Sequence, residues 1–142
     1  MLIDASAIVS ILVREEDADA LIERIEQSKE PRYVSPLVRF EAAVNVAKAK
    51  TRKGRNASKP SAEMIREAQI LVDAFIDEIG ATEIAISSAI GDKALDAAMT
   101  YGKAIGHPAD LNFGDCFAYA CAKAHRVGIV YKGNDFAQTD LA

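Results

Sequence analysis

Four carboxylates stand at positions where the chain has little structural need of them. Asp4 directly follows the apolar pair Leu2 and Ile3 and precedes small residues, so it falls where a first strand gives way to a helix. Glu41 shares a helical face with Leu37 at i−4 and Val44 at i+3, bordered by Val38. A carboxylate in such an apolar stripe carries a high desolvation cost unless a cation or a donor meets it. Asp115 comes three residues after Asn112 in Asn112-Phe113-Gly114-Asp115, and Asp135 closes the turn-like Lys132-Gly133-Asn134-Asp135. Each has an ordinary alternative. Asp4 could cap the helix it precedes, although Ser6 is available for that role. Glu41 could answer Lys48, two turns on, or Asn45; Asp115 could complete a cap with Asn112; Asp135 could be a turn residue. Gathered in one place, the four would repel one another unless protonated or bridged by a cation. An all-oxygen donor set favours Mg²⁺ or Mn²⁺ over zinc.

Convergence needs a scaffold, and the pattern supplies one. Leu2-Ile3-Asp4 begins a strand, and a helix capped by Ser6 runs to about Val13. Asp17 to Ser28 is an amphipathic helix, with Ala20, Leu21, Ile22 and Ile25 among Glu23, Arg24 and Glu26. Arg32-Tyr33-Val34 is a short strand, after which Ser35 and Pro36 open a helix to about Lys50. Thr51 to Pro60 reads as a loop, Ser61 to about Ile79 as a helix stopped by Gly80, and Thr82 to Ile86 as a strand. Ser87 caps a helix to about Tyr101, Gly102 to Leu111 is a Gly/Pro loop, Asn112 caps a helix ending near Arg126, and Gly128 to Tyr131 is the last strand. Strands separated by helices call for a parallel sheet covered on both faces, a three-layer α/β/α sandwich. Sites in such sheets form beyond the carboxyl ends of the strands, where Asp4 and Asp135 both fall.

The chain has 142 residues, which suits one domain, and half of them are hydrophobic. Its net charge of −4 is unevenly spread: Lys48, Lys50, Arg52, Lys53, Arg55 and Lys59 have no acid among them. Without those six, the remainder carries about −10. An acidic body with one basic segment can hold a cation and a polyanion at different places; a solvated helix end and loop is the alternative. Cys116 and Cys121 would point about 140° apart on one helix, which suits neither a disulfide nor a metal clip and fits a reduced, cytoplasmic protein. The N-terminus shows no basic and apolar leader, and no apolar stretch is long enough to span a membrane. His107, beside Pro108, and His125, at a helix end, read as structural. There is no Gly-rich phosphate loop, Ser-His-Asp order or zinc spacing.

Met1-Leu2-Ile3-Asp4-Ala5-Ser6-Ala7 resembles the opening of PIN-domain nucleases, in which an Asp is followed by a small residue and then Ser or Thr. Phe40-Glu41-Ala42 resembles the family's helical Glu, and the stretches Tyr101 to Lys123 and Tyr131 to Leu141 closely resemble one VapC subgroup. The resemblance spans nearly the whole chain. It implies an α/β/α sandwich with an acidic pocket for Mg²⁺ or Mn²⁺, and a metal-dependent endoribonuclease leaving 5′-phosphate and 3′-hydroxyl ends. It implies that Asp4, Glu41, Asp115 and Asp135 hold the metal and carry catalysis, with Ser6 as a supporting hydroxyl. It also implies the toxin of a toxin–antitoxin pair: a homodimer acting on RNA, with a VapB-type antitoxin covering the acidic groove. The other side of the helix from Pro36 is apolar too, at Ala42, Ala43 and Val46, which suits burial against a second subunit or, equally, within the chain's own core. Two features depart from the pattern. Asn134 stands where the subgroup often has a first Asp, and Thr51 to Ile65 is longer and more basic than in many relatives. The alternative is a catalytically weak PIN-like binding or assembly module. A haloacid dehalogenase-type phosphatase would need an Asp where Ser6 stands, and a receiver module an Asp after a middle strand.

Overall fold

The computed structural model describes residues 1–52 and 59–141, so Lys53 and Arg55 of the basic segment lie outside the described residues. Four two-residue strands, β1 (Leu2–Ile3), β2 (Tyr33–Val34), β3 (Thr82–Glu83) and β4 (Ile129–Val130), form one all-parallel sheet in the order β3-β2-β1-β4. Successive strand residues point to opposite faces, and both β1 and the edge strand β4 are apolar on each. Ile3 and Val130 enter one core, Leu2 and Ile129 the other. The first core is covered by α1 (Ala5–Val13), α2 (Ala18–Gln27), α3 (Pro36–Arg52) and α4 (Ala62–Glu78). The second is covered by α5 (Ser88–Tyr101) and α6 (Phe113–His125). This is the expected three-layer sandwich. None of the described helices is long and apolar enough to cross a membrane.

The helices begin and end for local reasons. Ser61 and Ser87 accept from the N–H groups of Met64 and Ile90, satisfying otherwise orphaned donors at the starts of α4 and α5. Gly80, at φ +62°, ends the passage from α4 to β3. Arg32 donates to the carbonyls of Ile79 (2.7 Å) and Ile25 (3.0 Å), tying the ends of α2 and α4 together.

Two expectations are corrected, and one open alternative is decided. Asp4, not Ser6, is the N-cap of α1; its side chain accepts from the Ser6 N–H, and Ser6 lies inside the first turn. The third strand is paired only over Thr82–Glu83, although the Ile84 N–H still reaches the Val34 carbonyl at 2.9 Å. The apolar side of α3 formed by Ala42, Ala43 and Val46 is buried in this chain's own core, because α3 packs against both α1 and α4. That face therefore gives no argument for a second subunit. Helix α3 also runs two residues past Lys50, to Arg52.

Candidate active site

The sheet order reverses at β1: the chain leaves it for β2 on one side and returns to β4 on the other. The carboxyl ends of β1 and β4 therefore open onto the crevice where doubly wound sheets form sites. A cleft of about 390 Å³ lies there. Asp4, Glu41, Asp115 and Asp135 all line it, with Ser6, Asn45, Lys48, Asn112, Lys132 and Glu15. Four separate stretches of sequence thus deliver one carboxylate each: the end of β1, the middle of α3, the first turn of α6 and the loop after β4.

Two of the carboxylates are fixed by one oxygen each. Oδ2 of Asp4 accepts from the Ser6 N–H at 2.9 Å and from the Ser6 hydroxyl at 2.5 Å. The same hydroxyl accepts from the Lys132 N–H at 3.0 Å, so Ser6 joins the ends of β1 and β4. Oδ2 of Asp115 accepts from the Asn112 N–H at 2.8 Å, and Oδ1 of Asn112 accepts from the Asp115 N–H at 3.1 Å; together they form a capping box. Helix capping and cleft lining therefore coexist in both residues.

Electrostatically the cleft is crowded with negative charge. Burial raises the pKa of Asp4, against the Ser6 hydrogen bonds, and the charge of Asp135 raises it further. Burial and the charge of Asp4 raise Glu41, with Lys48 pulling the other way. Asp115 is pushed up to about 6 by burial, opposed by the Asn112 N–H and reinforced by the charges of Asp4, Asp135 and Glu41. Carboxylates that make one another harder to ionise are what a bound cation would relieve. Among the described residues, no three His, Cys, Asp or Glu side chains are grouped tightly enough to enclose an ion unaided. The donor set nonetheless fits Mg²⁺ or Mn²⁺, since small hard cations keep several waters and need only one or two direct carboxylates.

Asn134 is exposed and does not line the cleft; its carbonyl accepts from the Ala137 N–H in the turn. Of the basic segment, Lys48 is at the cleft, whereas Lys50 and Lys59 are exposed elsewhere. His107 packs edge-on to Tyr101 and accepts from the Ala109 N–H, and His125 lies against Tyr33, so both have structural partners away from the cleft. Both cysteines are buried and free. Sequence reasoning missed Lys132, whose ammonium pairs with Glu15 and lies 3.5 Å from Asp17, anchoring the loop after β4 to the turn between α1 and α2. Its place directly after a strand, three residues before Asp135, was the available signal. Nothing in the pattern marks Glu15.

The PIN-domain family model matches residues 1–141. A VapC ribonuclease of Rhizobium meliloti (strain 1021) is 46% identical over 139 residues, covering 98% of this chain and 97% of that protein. Ribonuclease VapC42 of Mycobacterium tuberculosis (strain ATCC 25618 / H37Rv) is 32% identical over 141 residues, covering 99% and 96%. Among solved structures, a chain from a toxin–antitoxin complex of Klebsiella pneumoniae aligns with a TM-score of 0.64 at 16% identity, covering 99% of this chain and 92% of that one. That last likeness concerns the fold.

Proposed function

The chain belongs to the PIN-domain family, and from that premise we propose that it is a VapC-type toxin, an endoribonuclease that hydrolyses RNA phosphodiester bonds with Mg²⁺ or Mn²⁺ at the acidic cleft. The observation that carries this reading is the meeting of Asp4, Glu41, Asp115 and Asp135 at the sheet's point of reversal. Asp4, Glu41, Asp115 and Asp135 would hold a divalent cation, directly or through water, which when bound would supply a water of lowered pKa and offset charge on the leaving oxygen. The chain's own residues do the positioning. Ser6 holds one oxygen of Asp4 and the Asn112 N–H holds one oxygen of Asp115, so neither carboxylate has to be ordered when substrate arrives. Lys48 offers an ammonium at the same cleft to a phosphate of the RNA.

The reading includes a VapB-type antitoxin as partner, a homodimer, a single domain spanning residues 1–142, and a cytoplasmic location. The antitoxin is supported by the VapC relatives, and the single domain by the packing of all described helices on one sheet.

Its test is cleavage of total cellular RNA by purified, antitoxin-free protein with Mg²⁺ or Mn²⁺, against EDTA. Discrete fragments with 5′-phosphate ends are expected only where the metal is present. Intact RNA across several pools, from folded protein, would favour the catalytically weak PIN-like binding or assembly module.

Lys48 gives a second expectation. Lys48→Met should raise KM, and the plot of log(kcat/KM) against log[salt] should become shallower by about 0.7, the contribution of one phosphate contact on a single strand. An unchanged slope would show that Lys48 meets no phosphate.

A further inference from the structure

Gly114 is the second residue of α6, and its backbone does not need glycine. It is absent from the positive-φ positions and sits in ordinary helix. Alanine in a helix is favoured over glycine by up to about 1 kcal/mol, so propensity argues against the residue found here. Space argues for it. A Cβ at position 114 would lie 2.6 Å from Oε2 of Glu41, 3.4 Å from its Cδ and 3.3 Å from Oδ1 of Asn112. The first of these is closer than real Cβ atoms come to a neighbour. The obstruction is the far end of a flexible side chain, which can swing away without moving either backbone.

We propose that Gly114 is a positioning residue for Glu41: lacking a side chain, it lets the carboxylate of α3 rest against the first turn of α6, beside Asp115. This rests on reading the cleft as a metal site. Glu41 comes from a helix on one face of the sheet and Asp115 from a helix on the other, and Gly114 is where the Glu41 carboxylate meets α6. The dipole at the start of α6 also favours a carboxylate there, which partly offsets the burial and repulsion acting on Glu41. Any side chain at 114 would hold the two carboxylates apart. Alanine should thus leave the fold unharmed and damage the site, a combination that a packing role for Gly114 would not produce.

The experiment is titration of Mn²⁺ into the full chain by calorimetry, with thermal unfolding of the metal-free protein, for wild type, Gly114→Ala, Glu41→Gln and the double variant. Gly114→Ala is expected to weaken Mn²⁺ binding by on the order of 10-fold, the scale of losing a group that orients a ligand, with Tm unchanged or higher. In the Glu41→Gln background the same substitution should add no further loss, because the side chain it displaces no longer carries the charge. Wild-type affinity in Gly114→Ala, an equal loss in both backgrounds, or a markedly lower Tm would each overturn the proposal. If wild type itself bound no Mn²⁺ while folded, the reading of the cleft as a metal site would fall, and this inference with it.

Discussion

Asp4→Asn is expected to abolish RNA cleavage, by three orders of magnitude or more in kcat, while leaving the protein folded. A metal site contributes several kcal/mol of charge stabilisation, and each 1.36 kcal/mol is tenfold in rate, so losing a charged ligand at its centre reaches at least roughly 10³. Asparagine is the informative replacement because of what Asp4 does for α1. Its Oδ2 caps the helix and receives the Ser6 hydroxyl, which in turn receives the Lys132 N–H. An amide oxygen can take both hydrogen bonds in the same place; alanine takes neither, and losing the cap alone costs about 0.5–2 kcal/mol. Removing one negative charge also relieves Glu41 and Asp115, both of which are raised by Asp4. The Tm of metal-free Asp4→Asn should therefore match or exceed that of wild type, while Asp4→Ala melts lower. Cleavage assays beside thermal melts of both variants check this. Retention of even a tenth of wild-type activity by Asp4→Asn would remove Asp4 from the machinery.

The alternatives weighed for these residues in the sequence turn out not to exclude one another, because a carboxylate has two oxygens. Asp4 is a helix cap and lines the cleft; Asp115 completes a capping box with Asn112 and lines the cleft too. The pattern of residues offered these as competing roles, since spacing along a chain says nothing about where the second oxygen points. Glu41 is similar: Lys48 does share its surroundings and opposes the rise in its pKa, yet among the described residues the two make no ion pair. The alternation of strands and helices was readable because Leu2, Ile3, Val34, Ile129 and Val130 form short apolar runs between amphipathic stretches, and Ser61, Ser87 and Asn112 mark helix starts. Strand ends were less readable, since pairing stops at β3 while the apolar pattern continues through Ile84 and Ile86. The inner face of α3 could not be assigned from periodicity, which reports that Ala42, Ala43 and Val46 are apolar but not which neighbour covers them. Lys132 had a local signal in its place after a strand, but Gly114 depends on an approach between distant parts of the chain that no local pattern encodes.

Metal-free protein should become less stable as pH rises from about 5 to 7, and Mn²⁺ should reverse the loss. The sign follows from Asp115, whose pKa is about 6 in the folded chain against 3.8 ordinarily. Between those values the folded state holds more protons than the unfolded one, so stability falls as pH rises through the window and levels off above it. Asp4 and Glu41 are displaced in the same direction. Asp115 alone contributes on the order of 1–2 kcal/mol once screening by water at the cleft mouth is included. Asp17, held low chiefly by the Ser10 hydroxyl, and Asp73 and Asp140, held low by Arg39 and Lys123, act oppositely but lower on the scale: they contribute stability above their ordinary pKa and lose it as pH falls below about 4. The interval from 5 to 7 therefore lies above the range in which those three titrate. A divalent cation binds the ionised carboxylates, so at 100 times its Kd near pH 7 it adds about 2.7 kcal/mol, or roughly 10 °C in Tm for a chain of this size. At limiting metal, cleavage should climb with pH through the same region. Asp115→Asn supplies the control, since its amide can still accept from the Asn112 N–H while the titrating group is gone. Its metal-free Tm should vary less between pH 5 and 7 than that of wild type, and Mn²⁺ should raise it less. If wild type and Asp115→Asn traced parallel curves, the charge of Asp115 would not be the source of the slope. A metal-free wild type whose Tm rose from pH 5 to 7 would mean that burial and mutual charge do not raise Asp115 as its placement requires.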